Sequence, residues 1–414
     1  MHSAARAATA REVADATARR SYSKLLAYLA VQTRDVAAAE DALSEAFAAA
    51  LADWPVNGCP GSPEAWLLTV ARRRAIDVAR RQQRGEAISR ELQMLVDLET
   101  CEGTELPDRR LGLMFACAHP AIEAGVRAPL MLQAILGLNA ATIASAFLVA
   151  PSTMGQRLVR AKNKLRQAGV PFRVPERHEL PDRLEAVLDA IYAAYAEGWS
   201  DPAGTDVARR DLAEEAIFLG GLLVELMPEE PEALGLLALM LHAEARRGAR
   251  RTTDGEYVPL AVQDHARWDL TMIDHAESLL RRASGMGRIG RYQLEAALQS
   301  AHAHRRRKGE DNWQAVKQLY DALFELTGSP VVAVNCALAV AEVDGPQAAL
   351  ELLKPISAER QLTEYQPYWA VQAELLARTG QTDQARRAYE IAIGLERDSS
   401  VRRFLQHRLA KLAN

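Results

Sequence analysis

Apolar residues recur at helical spacing along almost the whole chain. Residues 21–32 place Tyr22, Leu25, Leu26 and Leu29 on one side of a predicted amphipathic helix. Residues 35–54 predict a second helix, with an apolar face formed by Val36, Leu43, Phe47, Leu51 and Trp54. Residues 1–20 are rich in Ala, Arg and Thr with weak apolar anchoring, so we expect a frayed start. Runs of β-branched residues are scarce, and the pattern predicts an all-α protein.

The segment Ser62–Arg84 predicts a strongly basic helix. Ser62 can cap its N-terminus, Pro63 suits the first helical position, and Glu64 suits the positive end of the helix dipole. After Glu64 the segment holds one acid, Asp77, against six arginines: Arg72, Arg73, Arg74, Arg80, Arg81 and Arg84. A solvated basic surface is the simplest interpretation. Contact with a phosphate backbone is the stronger hypothesis, with Trp66 able to stack on a base.

Residues 139–169 resemble a helix-turn-helix. The pattern predicts a short helix at Ala140–Phe147, a turn at Leu148–Pro151, and a second helix capped by Ser152 or Thr153 that ends near Gln167. Leu158, Ala161 and Leu165 would point inward. The outward side chains would be Gln156, Arg157, Arg160, Lys162, Lys164 and Arg166. In a DNA-binding motif of this kind the second helix reads the major groove, whereas an ordinary helical hairpin with a basic rim is the alternative.

The chain divides by charge into a basic front and an acidic back. Residues 1–170 hold 21 Lys and Arg against 17 Asp and Glu, while residues 171–414 hold 29 against 37. This asymmetry suggests a nucleic-acid-binding part joined to a protein-facing part. Four scattered cysteines without a CxxC pair predict reduced thiols in the cytoplasm. We expect neither a signal peptide nor a membrane span.

The rest of the chain continues as paired helices. We expect helices at 183–197, 208–226, 231–247, 262–284, 292–308, 313–326, 331–342, 346–353, 368–378, 382–395 and 399–412. The unit around Gly380 resembles a tetratricopeptide repeat, with Ala385, Ala388 and Tyr389 in its packing positions; a unit around Gly345 shows the same plan. We expect an α-solenoid or compact bundle that binds a protein.

No pattern indicates catalysis. Asp264, His265 and Asp269 could suggest metal or acid–base chemistry, but a hydrogen-bonded helix start explains them better, and His302 and His304 have no further ligands nearby. The segment RRASGMGRIG lacks the strand and helix context of a phosphate-binding loop. We expect no catalytic residue, no metal and no cofactor, and hence no enzyme.

Taken together, these motifs resemble a bacterial RNA polymerase sigma factor of the extracytoplasmic-function type. The matching phrases are DVAAAEDALSEAFAAALADWP, PEAWLLTVARRRAIDVARR and ATIASAFLVAPSTMGQRLVRAKNKL. The resemblance implies four segments: region 2 in residues 1–84, a linker in 85–110 that is partly helical at Ile88–Leu98, region 4 in 111–170, and a C-terminal helical domain in 175–414.

The resemblance also implies roles for particular residues. The contacts to the polymerase β′ clamp helices would be Asp35, Glu40, Asp41, Glu45 and Phe47, and region 4 would meet the β flap. The −10 promoter element would be bound by the loop Asn57–Ser62 and by Trp66, Arg72, Arg73, Arg74, Arg80 and Arg81. The −35 element would be bound by Ser152, Thr153, Gln156, Arg157, Arg160, Lys162 and Lys164.

The C-terminal part resembles that of sigma factors with a tetratricopeptide-like extension. The phrases VPLAVQDHARWD, GRYQLEAALQSAHA and YQPYWAVQAELL carry this likeness. It implies that the extension modulates activity. We expect the extension to pack on region 2 or 4, or to bind a regulatory protein or ligand. The competing hypothesis is a helix-turn-helix regulator that binds duplex DNA without polymerase and uses the tetratricopeptide part as a sensor. Such a regulator has no need of the acidic helix at 35–54.

Overall fold

The computed structural model describes residues 2–81, 108–147, 149–176, 178–199, 207–357 and 359–412. These residues are helical apart from turns and loops, and their only β-type pairing is an isolated antiparallel bridge between Arg251 and Tyr257. The predicted all-α class is confirmed. The chain forms two compact units, one of Met1–Gly198 with Asp211–Leu219, the other of Trp199–Arg210 with Gly220–Asn414.

The helices up to the end of the first unit are α1 His2–Thr33, α2 Val36–Asn57, α3 Pro63–Arg81, α4 Arg110–Cys117, α5 Ala124–Leu136, α6 Ala140–Ala146, α7 Pro151–Gln167 and α8 Pro181–Trp199, and α9, Val207–Leu226, supplies the segment Asp211–Leu219. The predicted linker, including its helix at 88–98, lies almost wholly outside the described residues.

The first helix corrects the expectation of a frayed start. Residues 2–33 form one continuous helix rather than a helix at 21–32 alone. Its first half is anchored by small side chains, since Ala10 and Ala14 are buried, and Leu25 and Leu29 continue the same face. Alanines pack closely but add little to an apolar pattern, so the sequence did not indicate this anchoring.

The second helix extends past its predicted end. Pro55 lies inside α2 rather than in the following loop, and the helix ends at Asn57. Gly58 closes it with a φ of 89°, and its N–H donates to the carbonyl of Trp54 at 3.0 Å. Pro55 has no N–H to donate to the carbonyl of Leu51, so one helical hydrogen bond is missing; the Leu51 side chain is exposed.

Helix α8 lies after the predicted region 4, whose expected end is residue 170. Helix α8 up to Gly198 belongs to the first unit. The buried guanidinium of Arg183 donates to the carbonyl of Phe115 at 3.3 Å and pairs with Glu179 at 2.8 Å. This contact ties α8 to α4, and long-range pairing of this kind is not visible in the local pattern.

The second unit contains the end of α9 and the helices α10 Pro231–Glu244, α11 Leu270–Ser284, α12 Arg291–Lys308, α13 Trp313–Thr327, α14 Pro330–Val343, α15 Pro346–Leu353, α16 Arg360–Thr363, α17 Gln366–Arg378, α18 Thr382–Leu395 and α19 Ser399–Lys411.

The segments around Gly345 and Gly380 each form two helices joined by a tight turn. Gly345 and Gly380 take φ angles of 90° and 76° at the turns before α15 and α18. Ala385, Ala388 and Tyr389 are buried in one core. The hairpin before α11 is bound to the last helix, since Arg251 pairs with Asp398 at 2.5 Å and Tyr257 lies edge-on to Phe404 at 5.5 Å.

The helix predicted from Val262 begins only at Leu270. Short 3₁₀ turns at Leu260–Val262 and His265–Arg267 precede it. Asp269 is the N-cap and accepts from the N–H of Met272 at 3.0 Å, while Asp264 accepts from that of Ala266 at 3.0 Å. The hydrogen-bonded helix start inferred for these acids is confirmed, but the helix begins eight residues later than predicted.

Buried histidines should make the stability of the second unit depend on pH. Burial lowers the pKa of His242, in α10, to about 4, against an ordinary value of 6.5. Because the unfolded chain binds this proton more readily, the free energy of unfolding should fall between pH 6.5 and 4, by up to about 3 kcal/mol for this residue. Burial also lowers the pKa of His302 to about 4, which adds to the loss.

Urea denaturation of the full chain at pH 7, 6 and 5 measures this loss. His242→Leu should remove about half of the histidine-dependent change of the unfolding free energy with pH. The unfolding free energy at pH 7 should change less. An unchanged slope in the variant would show that His242 is not buried in its neutral form.

Candidate protein and nucleic-acid interface

Two of the acids predicted to contact polymerase are exposed on α2, and two form ion pairs with another helix. Asp41 and Glu45 are exposed, one helical turn apart, and Glu45 lies 3.4 Å from the guanidinium of Arg74. Both line an open groove of about 1020 Å³ together with side chains of α3 and the end of α7. These two carboxylates are therefore accessible to a partner.

Asp35 and Glu40 are not free as the sequence suggested. Asp35 is 7% exposed and is the N-cap of α2, accepting from the N–H groups of Ala37 and Ala38. Its second oxygen lies 3.4 Å from Arg166, and Glu40 lies 2.5 Å from Lys162. Two of the predicted polymerase contacts are thus engaged by cations of the predicted DNA-binding helix.

Phe47 is half-buried rather than presented to solvent. Its ring stacks on Tyr22 of α1 with a centroid distance of 6.4 Å. Burial, with a smaller contribution from the Glu40 carboxylate, raises the pKa of Tyr22 to about 12. The aromatic pair belongs to the packing between α1 and α2.

The basic helix α3 begins at Pro63, as predicted. Glu64 in its first turn accepts a hydrogen bond from Ser21 of α1, which fixes the start of α3 against α1. Arg73 and Arg74 are exposed. The side chains of Arg80 and Arg81, and all of Arg84, lie outside the described residues.

Arg72 corrects the prediction of an all-outward arginine face. Its side chain is buried, donates to the hydroxyl of Tyr28 at 2.6 Å and to Gln32 at 3.2 Å, and lies over the Tyr28 ring at 5.0 Å. A signal existed in the sequence, because Arg72 is four residues from both Leu68 and Ile76, which are buried. Its role is to join α3 to α1.

We expect Arg72→Ala to lower the free energy of unfolding by about 2 to 3 kcal/mol, because the buried Tyr28 hydroxyl loses a charged donor. Urea denaturation measures this change. The neighbouring Arg73→Ala, at an exposed position, is the control and should stay within about 0.5 kcal/mol of the parent. Equal effects of the two substitutions would contradict the buried placement of Arg72.

The loop that follows α2 is exposed, as a base-capturing loop requires. Gly58, Cys59, Gly61 and Ser62 are exposed, and the Asn57 amide donates to Asp53 at 2.7 Å. Trp66 is half-buried with its ring edge-on to Trp54 at 5.5 Å. Trp66 and the exposed Arg73 lie on the same helix, seven residues apart.

Helices α6 and α7 form the predicted pair with a short turn. Met154, Leu158, Ala161 and Leu165 are buried on one side of α7. The helix starts at Pro151 and its N-cap residue is Ala150, without a side-chain cap, so the predicted capping by Ser152 or Thr153 is wrong. Both residues lie exposed in the first turn.

The polar side of α7 is split between solvent and α2. Gln156, Arg160 and Lys164 are exposed and Arg157 is half-exposed, as predicted. Lys162 is the exception, since only 10% of its side chain is exposed. Val159 also lies on this side and is 60% exposed, although the sequence pattern did not assign it there; an apolar residue between the outward Gln156 and Arg160 was the available signal.

The residues that the structure describes contain no group of three or more His, Cys, Asp or Glu side chains that could hold a metal ion. Among them, no helix is both long enough and apolar enough to cross a membrane.

Comparison with known families identifies the first part of the chain. Residues 17–85, which comprise the second half of α1 with α2 and α3, match the family model of sigma-70 region 2. The chain therefore carries a sigma-70 region 2. Residues 183–284 match a family of unknown function, DUF6596.

A curated relative shares almost the whole length of the chain. An uncharacterized protein, R00370, of Rhizobium meliloti (strain 1021) is 38% identical over 389 residues, which cover 92% of this chain and 91% of that protein. The chain belongs to the same family as this protein. No solved structure matches the chain.

Proposed function

We propose that this protein is an alternative sigma factor that binds core RNA polymerase and directs promoter recognition and melting. The observation that carries the proposal is the sigma-70 region 2 match over α1 to α3. Within that match, exposed acids lie on α2 and exposed arginines on α3, separated by the loop 58–62.

The polymerase contact is assigned to α2. Asp41 and Glu45 form its accessible acidic surface and would pair with cations of the β′ clamp helices. Asp35, Glu40 and Phe47 would add to this contact once the side chains that now cover them have moved. Two carboxylates one helical turn apart favour a partner whose surface is positively charged.

The −10 contact is assigned to the loop 58–62, with Asn57, Trp66, Arg73, Arg74, Arg80 and Arg81. Extruding a base costs a few kcal/mol, and stacking on an aromatic ring returns about 1–3 kcal/mol. Arginines beside the loop would hold the backbone of the melted strand. Arg72 contributes by fixing α3 rather than by touching DNA.

The −35 contact is assigned to α7 as the second helix of a helix-turn-helix. Ser152, Thr153, Gln156 and Arg160 lie exposed in its first three turns, where base edges are read, with Arg157 and Lys164 toward the phosphates. Two weak modules on a fixed spacing would then select a promoter together. The extension, with its tetratricopeptide-like core, would modulate this activity by binding a regulatory protein or ligand.

Reconstitution with purified bacterial core RNA polymerase tests the proposal. We expect the chain to co-elute with core enzyme in gel filtration and to support run-off transcription from a subset of genomic fragments. Permanganate footprinting should show unpaired thymines at the −10 element only when both components are present. A chain that binds duplex DNA but never core enzyme would instead be the polymerase-independent regulator.

A further inference from the structure

Helices α2 and α7, which the proposed function assigns to different partners, lie against each other in the first unit. Lys162 of α7 is 2.5 Å from Glu40, and Arg166, one turn later, is 3.4 Å from Asp35. Residue numbers rise along one helix as they fall along the other, so the two charged edges run antiparallel. Each edge contributes two charges and neutralises the other.

The central pair is shielded from water. Only 10% of the Lys162 side chain and 20% of the Glu40 side chain are exposed. Burial raises the pKa of the Glu40 carboxyl, and the Lys162 ammonium acts in the opposite direction. Either charge left alone at this position would be costly, so the two are expected to pair or to separate together.

Tyr22 of α1 covers a further residue of α2. Its ring stacks on Phe47 and lies 3.7 Å from the position that a Cβ on Gly137 would occupy, at the C-terminal end of α5. The third predicted polymerase contact is therefore covered by a residue that also packs against the helix preceding the α6–α7 pair.

We propose that these contacts keep the free protein in a closed state, in which the acidic edge of α2 and the basic edge of α7 occupy each other. The inference rests on the proposed function. Glu40 cannot meet polymerase while it is paired with Lys162, and Lys162 and Arg166 cannot neutralise phosphates while they are paired with α2. Binding of core enzyme must separate the edges and thereby release cations for DNA.

The closed state leaves a point of first contact for each partner. Asp41 and Glu45 stay exposed on α2, and Gln156, Arg160 and Lys164 stay exposed on α7. Polymerase can therefore engage two acids first and compete for Asp35 and Glu40 afterwards. Free protein would carry a reduced number of DNA-binding cations, which limits its binding to random DNA.

Distance measurement between two spin labels tests the closed state without any polymerase. The labels attach to Ser44→Cys on α2 and Gln167→Cys on α7, both exposed positions, after Cys59 and Cys101 are replaced by serine; Cys117 and Cys336 are buried. We expect one narrow distance distribution in the parent. Glu40→Lys, which opposes Lys162 with a like charge, should add a population at longer distance.

The charge swap Glu40→Lys with Lys162→Glu should restore the narrow distribution, because it rebuilds the pair in reverse. The matched control is Asp41→Lys, with the same charge change at the adjacent exposed residue, and it should keep the parent distance. Glu40→Lys should also bind a random 30-bp duplex about tenfold more tightly than Asp41→Lys at 0.1 M salt, because two cations are released for phosphates.

Three results would overturn the closed state: a broad distribution in the parent, equal distributions in Glu40→Lys and Asp41→Lys, or a swap that fails to restore the distance. Since the labels report on the chain alone, failure to bind core enzyme would refute the proposed function and leave this test standing. Addition of core enzyme to a chain that does bind it should shift the parent to the longer distance.

Discussion

Replacing Asp41 and Glu45 with arginine is expected to weaken binding to core RNA polymerase by about 100-fold or more, since losing or reversing charge pairs at an interface costs several kcal/mol. Both side chains are exposed on α2 with α7 in place. They are thus the acids that polymerase can reach before any rearrangement. Fluorescence anisotropy with labelled protein and purified core enzyme measures the change.

A matched control uses acids outside the proposed contact. Glu12 and Asp15 are exposed on α1, and Glu12→Arg/Asp15→Arg makes the same change in net charge. The affinity of this control for core enzyme should stay within about threefold of that of the parent, because long-range charge effects are screened at physiological salt. If both double variants lost affinity equally, the loss would reflect net charge and the α2 docking surface would be wrong.

Local signals predicted the elements of the first unit well and their partners poorly. The order Ser62, Pro63, Glu64 placed the start of α3, and the spacing of Leu158, Ala161 and Leu165 placed the buried side of α7. Arg72 and Lys162 were predicted to face outward because arginine and lysine side chains are usually exposed. Their partners, Tyr28 and Glu40, lie 44 and 122 residues away in the chain. No helical period records a partner at that distance.

Capping signals were ambiguous where two candidates stood close together. Asp264 and Asp269 can both begin a helix, and both accept backbone hydrogen bonds, but only Asp269 is followed by α11. Ser152 and Thr153 similarly competed with Pro151, whose fixed φ suits the first helical position without a side-chain cap. Helix-capping propensity shows which residues can begin a helix, but tertiary packing decides which of them does.

The extension contains a close helix crossing that should dominate its stability. A Cβ added at Gly235 of α10 would lie 2.5 Å from the backbone nitrogen of Gln293 and 2.8 Å from its Cα, in the first turn of α12. Glu232, one turn earlier, accepts hydrogen bonds from the N–H groups of Tyr292 and Gln293, at 3.0 Å each. The Glu232 side chain caps α12, and the absence of a Cβ at Gly235 lets the backbones of α10 and α12 approach each other.

Gly235→Ala is therefore expected to lower the free energy of unfolding of the second unit by about 3 kcal/mol, since neither backbone can yield without moving the Glu232 cap. In the sequence Gly235 resembled a weak point of a helix, and alanine would have been expected to stabilise it. Gly221→Ala, in α9 with no atom within 4 Å of the added Cβ, is the matched control. It should stabilise by about 0.5–1 kcal/mol. Urea denaturation of both variants separates the two cases, and a stabilising effect of Gly235→Ala would show that α10 and α12 do not cross at this distance.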